Sequence, residues 1–564
     1  MKLSVFKKFL SCLLLITALL SVASSEPAVQ KAQDSRAERV DKLFAELDNT
    51  ESPGIAVLVV RDGEVQLRRC YGMANLEHKV PITPDTVFDI ASVSKQFCGM
   101  AISMLIEQGK IALQDDIHKY IPELPDFGQA ITVDHLVHHT SGIRDWPATL
   151  ALAGWRMDDV ISFDQILTMA FNQQDLNFKP GEEYSYSNTG YNLLAELVKR
   201  VTGKNFREWT DENIFQPLGM KNTHFQDDHT ELVPNKAYGY ARGKDGKFSA
   251  VPNGLTALGS SSLYTSINDL ARWVMNLDNQ KVGGKAVIER MVAQGVLNSG
   301  RKIDYAFGLS VGKYHGLKRI SHGGSWASFR TYLVHFPDER FSVVVLLNYS
   351  PSNSNRAAYD VVDIYLANKL KPRPKTPKKK EEPKPVKVPI TILDEYVGTY
   401  RLGEAWYVTI SRGGDSLMTQ ATAEDIYPMM ATSEKRFWVK DYNAPIVFEP
   451  DKEGNVSHFL YRGMTCPKLE DVPAPGPEQL AELTGEYKSE ELKTFYSIIL
   501  EDGKLVAKHR RHGTIDLTYA YKDDFRGGVW FMRSVEFYRN DAGKVAGFKV
   551  TQSRSRNQRF IKQH

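Results

Sequence analysis

Ser92 and Lys95 stand three residues apart in Phe88-Asp-Ile-Ala-Ser-Val-Ser-Lys-Gln-Phe97, at the head of the apolar run Cys98 to Ile106. On a helix that spacing is about one turn, so both side chains leave the same face. A serine hydroxyl is a weak nucleophile at neutral pH until a neighbour takes its proton. A lysine can be that neighbour when desolvation or a nearby cation keeps it partly neutral. Taken alone, the pair equally fits a helix-capping serine beside a solvated lysine. Ser94 also competes with Ser92 as the nucleophile.

Two further clusters change the weight of that pair. Tyr186-Ser-Asn188 lies in Lys179-Pro-Gly-Glu-Glu-Tyr-Ser-Tyr-Ser-Asn-Thr-Gly190, just before the amphipathic stretch Tyr191 to Val201. His322-Gly-Gly324, followed by Ser325 and Trp326, leads into an alternating strand. With Leu136-Val-His-His-Thr-Ser-Gly-Ile143 and the Lys179-Pro-Gly181 lead-in, five segments stand in one order. That order resembles the serine β-lactamase and penicillin-binding protein superfamily, in its class C-like branch with esterases and D-aminopeptidases. The resemblance spans roughly residues 37–369.

The resemblance implies roles residue by residue. Ser92 attacks a carbonyl and forms an acyl-enzyme, and Lys95 and Tyr186 share proton transfer. Which of the two is the acylation base stays open. A tyrosine flanked by lysine cations is expected to sit closer to its phenolate, since positive charge favours that form. Asn188 can bond both Lys95 and a substrate amide, and the backbone N–H groups of Ser92 and Ser325 form the oxyanion hole. Gly323 and Gly324 allow the substrate close to the strand. His322 departs from the lysine that penicillin-binding proteins and most β-lactamases carry here. A largely neutral imidazole grips a substrate carboxylate less firmly. That favours esters, or peptides trimmed from the amino end, and His-Gly-Gly is also what D-aminopeptidases carry.

Other residues read mainly as structure. His139 is expected to be a structural hydrogen-bonder. Trp326 either lines the pocket or packs, and Asp145 and Trp146 shape its mouth. Cys98 reads as a small buried hydrophobe. Three cysteines past the N-terminal segment do not make a disulfide framework.

The 564 residues, with 42% hydrophobic and 10% aromatic content, describe a multidomain globular chain. A net charge of +3 gives no reason to expect nucleic acid. No metal-ligand spacing occurs, and neither a metal nor a cofactor is expected. Lys2, Lys7 and Lys8, the apolar core Phe9 to Leu20 and the small residues Ser21 to Ser25 read as a secretory signal, so a periplasmic or secreted address is expected. An uncleaved anchor is the alternative, and no later stretch is long enough to span a bilayer.

Helices are expected over Ala37 to Leu47, Lys95 to Gln108, Tyr191 to Val201 and Ile267 to Leu277. Hairpins are expected around Arg61-Asp-Gly-Glu64 and Pro337-Asp-Glu-Arg340. Strands at both ends with helices between them predict an α/β (α+β) fold, with one antiparallel sheet flanked by helices, as the resemblance also implies. Lys371 to Pro385, dense in Pro and Lys, reads as a linker. Beyond it, Leu393-Asp-Glu-Tyr-Val-Gly-Thr-Tyr400 parallels Leu480-Ala-Glu-Leu-Thr-Gly-Glu-Tyr487, and Phe448 to Phe459 parallels Phe537 to Phe548. These are offsets of 87 and 89 residues. Two copies of one module follow, most simply small antiparallel β-barrels.

The expected division is a signal at 1–25, a hydrolase domain at 26–370, a linker at 371–389, and barrels at 390–474 and 475–564. Tandem barrels behind such a domain resemble the D-stereospecific aminopeptidase architecture, in which a loop of the second barrel reaches the active site. Lys508-His-Arg-Arg-His-Gly513 is one candidate loop. The resulting expectation is a hydrolase of D-amino-acid peptides, amides or small esters. A β-lactamase or D,D-carboxypeptidase acting on cell-wall peptides is the alternative, and a non-catalytic penicillin-binding scaffold a third. A homo-oligomer is compatible with the sequence.

Overall fold

A computed structural model describes residues 26–372, 385–403, 406–422, 424–453 and 455–563. The signal segment and most of the linker lie outside the described residues. The valine-rich run Ile55–Arg61 is buried along nearly its whole length because both faces of its sheet are covered. It pairs antiparallel with Phe341–Leu347 on one side, Ile55 opposite Leu347, and with Glu64–Tyr71 on the other. Phe329–Phe336, Leu317–Trp326 and Ser310–Tyr314 extend the sheet to six antiparallel strands. Residues from the two ends of the domain therefore meet at its centre.

The two-residue period sorts the sheet's side chains. Ala56, Leu58, Val60, Leu333, Val344 and Leu346 face a helical lobe. Val57, Val59, Val334, Val343 and Val345 pack instead against Val40 and Phe44 of helix Glu26–Phe44 and Val361 and Val362 of helix Ser354–Tyr365. The first helix begins at Glu26, well before the expected Ala37. The buried centre of the lobe is helix Lys95–Glu107, whose Phe97, Cys98, Met100, Ala101 and Ile102 are fully enclosed.

The C-terminal part forms two eight-stranded antiparallel units. In the first, Gly398–Gly403 through Met464–Pro467, the end strands meet at a Tyr400–Lys468 bridge. The second, Gly485–Ser489 through Ser555–Lys562, is a closed barrel. The repeat seen in sequence is physical. Tyr400 donates its hydroxyl to the Tyr396 carbonyl, and Tyr487 does the same to Leu483. Lys468 covers Gly398 as Lys562 covers Gly485, each reaching the carbonyl three residues before its glycine, Glu395 and Glu482. Among the described residues no helix is long and apolar enough to cross a membrane.

Candidate active site

Ser92 lies in a short 3-10 turn, Ala91–Ser94, that runs directly into helix Lys95–Glu107. Ala91 takes the left-handed conformation, φ +48°, and its N–H is held by the Asp89 carboxylate at 2.7 Å. The Ser94 ambiguity resolves here: Ser94 is fully buried and donates to the Ala91 carbonyl, whereas Ser92 lines a cavity of about 690 Å³.

Lys95 has no exposed surface. Its Nζ donates to Ser92 Oγ at 3.2 Å, to Asn188 Oδ1 at 2.7 Å and to the Ser260 carbonyl at 2.7 Å. Burial drives its ammonium down to about 7; Asp145 pulls it back up, while Arg554 adds to the fall. Tyr186 is the opposite case. Burial raises its phenol far above the ordinary value, and the Ser92 hydrogen bond only partly opposes this. The expected drift toward phenolate is overturned, because desolvation of a buried oxyanion outweighs the nearby cations. Lys95 Nζ and Arg554 Cζ lie 4.9 and 4.8 Å from the tyrosine ring centroid.

Asn188 opens helix Asn188–Thr202 and lines the cavity. Its oxygen accepts from Lys95, and its Nδ2 donates to Asp145 Oδ1 at 3.0 Å and to Oδ2 at 3.3 Å. Its backbone N–H also donates to Asp145, at 2.8 Å. The amide thus ties Lys95 to a buried acid while lining the cavity beside Ser92. Burial raises the Asp145 carboxyl, against the pull of Arg554 and Asn188. Asp145 is therefore part of the lysine's support, a deeper role than shaping the mouth.

His322 to Trp326 run along a free edge, because the neighbouring strand's pairing stops at Ser321. The imidazole is neutral: burial, then Lys95, push it down to about 3. Its Nδ1–H donates to the Gly323 carbonyl at 2.7 Å, which leaves Nε2 to accept from the Tyr305 hydroxyl at 2.9 Å. Both nitrogens are thereby engaged, so the ring presents no spare donor to a carboxylate. A Cβ on Gly323 would meet the Tyr332 ring at 3.3 Å, but one on Gly324 would lie 2.2 Å from the Ile90 carbonyl and 2.2 Å from Thr331 Oγ1. Glycine at 324 lets the strand press on the turn that carries Ser92. Ser325 and Trp326 line the cavity, and Trp326 also donates to Asn253 Oδ1 at 3.0 Å.

His139 accepts the Ser187 N–H at Nδ1, 3.2 Å, and packs among Tyr186, Tyr191 and Tyr305. That is a scaffold contact, holding the Tyr-x-Asn segment. Cys98 is buried against the Tyr191 carbonyl, and burial pushes its thiol up, away from thiolate chemistry.

The second barrel enters the site by a route the sequence did not mark. Arg554, in the turn between strands Val545–Gln552 and Ser555–Lys562, lines the cavity and reaches Asp145 Oδ2 at 3.4 Å. Its carbonyl accepts the Asp145 N–H at 2.9 Å and the Asn177 side chain at 2.9 Å. The candidate loop Lys508 to Gly513 packs elsewhere. His512 donates to the Ala151 carbonyl at 2.7 Å and Arg511 pairs with Asp159. Its neighbours are the helix Trp146–Leu152 and the segment just after it.

A Beta-lactamase family profile matches residues 40–367, and one for a domain of unknown function (DUF3471) matches 382–467. A D-aminopeptidase of Gluconobacter oxydans is 30% identical over 298 residues, 53% of this chain. The chain spans only 56% of that relative's length. Penicillin-binding protein 4* of Bacillus subtilis is 25% identical over 444 residues, 76% of this chain and 97% of that protein. Among solved structures, the octameric penicillin-binding protein homologue from Pyrococcus abyssi superposes with a TM-score of 0.54 at 23% identity, over 86% of this chain and 99% of that one.

Proposed function

The chain belongs to the beta-lactamase family and is a serine hydrolase of the β-lactamase and penicillin-binding protein superfamily, and within it we propose an acyl-enzyme mechanism on Ser92 that cleaves D-amino-acid peptides, amides or small esters. The observation that carries this reading is the buried Lys95, poised near neutrality with its Nζ on Ser92 Oγ. Neutral Lys95 takes the Ser92 proton as Oγ adds to the substrate carbonyl. The oxyanion settles between the N–H groups of Ser92 and Ser325. The proton then passes by way of the neutral Tyr186 phenol to the leaving nitrogen or oxygen, which departs. Water attacks the acyl-enzyme along the reverse path, giving up a proton as Ser92 regains one. Asn188 and Asp145 position the lysine throughout.

The N-terminal signal pattern supports an address outside the cytoplasm for this chemistry. The test is a hydrolysis panel on the mature chain, with Ser92→Ala as control. It sets D-alanine p-nitroanilide and a short acyl ester beside a chromogenic cephalosporin and a D-Ala-D-Ala peptide. Turnover of the anilide or ester that vanishes in Ser92→Ala is expected. Turnover confined to the cephalosporin or the D-Ala-D-Ala peptide would replace this reading with a β-lactamase or D,D-carboxypeptidase. Slow stable acylation without turnover would make the protein a penicillin-binding scaffold.

A further inference from the structure

The two barrels leave a cleft between them, at the root of the turn that carries Arg554 into the active site. It holds about 300 Å³ and is bordered by Trp406 and Glu424 of the first barrel and by Arg526, Arg533 and Thr551 to Ser553 of the second. That is the lower end of the roughly 300–1,000 Å³ typical of small-molecule sites. Trp406, which stays 36% exposed, and Glu424 also border an apolar slot of about 80 Å³ that enters the first barrel beside Tyr442, Phe459 and Tyr461. The barrels are tied next to Trp406 by the Tyr407 hydroxyl, which donates to Asp524 at 2.8 Å.

Opposite charges face this cleft without meeting. Among the described residues Arg526, Arg533 and Glu424 each lack an ion-pair partner. Arg526 makes only a long contact to the Thr422 carbonyl, at 3.5 Å, and the Glu424 carboxylate only one from the Tyr442 hydroxyl, at 3.4 Å. A molecule carrying both a carboxylate and an ammonium completes the arrangement, since guanidinium favours the first and carboxylate the second. An exposed ion pair contributes little by itself, so the apolar slot must hold a side chain as well. One wall residue leads to the active site. Gln552 Oε1 accepts the Arg554 N–H at 2.7 Å and the Ser553 hydroxyl at 2.9 Å, and Arg554 reaches Asp145 at 3.4 Å.

We propose that the cleft between the barrels binds a zwitterion with an apolar side chain, a free amino acid or a short peptide, and that its binding slows the active site by drawing Gln552 away from Arg554. Such molecules are what a peptidase of the proposed kind releases, so the cleft senses product. The binding stands apart from the Ser92 reading, and only the effect on turnover rests on it.

The test is calorimetry on full-length mature Ser92→Ala with phenylalanine of each hand, alanyl-phenylalanine, N-acetylphenylalanine and phenylalaninamide. The free amino acid or the dipeptide should bind about fivefold or more tightly than both blocked forms, and the tighter of the two identifies the source. Arg533→Gln and Trp406→Leu, each added to Ser92→Ala, should weaken that binding by a similar factor, with thermal unfolding showing that both variants stay folded. In the catalytically intact chain the ligand should lower kcat several-fold without raising KM. Arg533→Gln should keep the basal kcat and lose the inhibition, whereas Gln552→Ala should begin with a lowered kcat and respond little further. Equal binding of zwitterion and blocked forms, or binding unchanged in both cleft variants, overturns the proposal. So does purely competitive inhibition that persists in Arg533→Gln, which puts the ligand at Ser92. Cleft binding that leaves kcat untouched refutes the link through Gln552, and cleft binding to a native protein with no turnover sinks only the Ser92 reading.

Discussion

At the residue scale, the chemistry turns on a proton that Lys95 must be free to accept. Because burial brings its pKa down to about 7, the competent neutral form is lost as pH falls through that value. The profile of kcat/KM, which reports the free enzyme, should therefore show an ascending limb near pH 7. Asp145→Asn removes a charge that raises Lys95, so its limb should move to lower pH; an unmoved limb would exclude Asp145 from the lysine's electrostatics. The same depression has a stability consequence. The folded state resists protonation that the unfolded chain accepts, so this group's contribution to stability rises with pH from about 7 to the unfolded lysine value. Lys95→Ala should lower kcat by about a hundredfold or more at every pH, since it removes the base outright. Ser92, Lys95, Tyr186, Asn188 and His322 were legible because each sits in a short motif with fixed spacing. The partnership of Asp145 with Asn188 was not, because packing alone decides which donors face a buried acid.

At the scale of elements, what matters is how closely the edge strand Leu317–Trp326 approaches the turn Ala91–Ser94. The two adjacent glycines separate that requirement from substrate access. At Gly324 a methyl group would collide with the Ile90 backbone carbonyl at 2.2 Å, whereas at Gly323 the nearest atom is Tyr332 Cδ2 at 3.3 Å, a far milder crowding. Gly324→Ala should thus cost roughly 1–3 kcal/mol in thermal or denaturant unfolding, as overpacking does. It should also cut kcat steeply by moving Ser325 away from Ser92, while Gly323→Ala stays close to native in both. Equal behaviour of the two would mean that the strand does not set the distance between the oxyanion donors. The central strands were readable from their valine-rich runs and Asp-Gly turn. The start of the first helix was not, because Glu26 to Arg36 carries little apolar periodicity to announce it.

At the scale of the whole molecule, the sequence repeat revealed two like modules but not which loop meets the site. Gln552-Ser-Arg-Ser555 has the composition of any polar turn, and its partner Asp145 is 409 residues away in sequence. Docking supplies what local pattern lacks. The buried pair between Arg144 Nη1 and Glu491 Oε1 at 2.5 Å, the Thr149–Ser555 hydroxyl contact and the Tyr496 bond to the Leu152 carbonyl fasten the second barrel beside the pocket. Arg554 then lends its charge to the lysine. Removing that charge in Arg554→Ala should raise the Lys95 pKa, move the ascending limb to higher pH and lower kcat/KM several-fold at neutral pH, with little change in unfolding. Glu491→Ala instead leaves a guanidinium buried without its acid, a cost of about 3–5 kcal/mol. It should therefore lower the unfolding midpoint, open the barrel junction to limited proteolysis, and shift the pH limb in the same direction as Arg554→Ala. If Glu491→Ala destabilises the protein but its folded fraction keeps the native pH profile, then docking and proton transfer are independent, and the second barrel is only a prop.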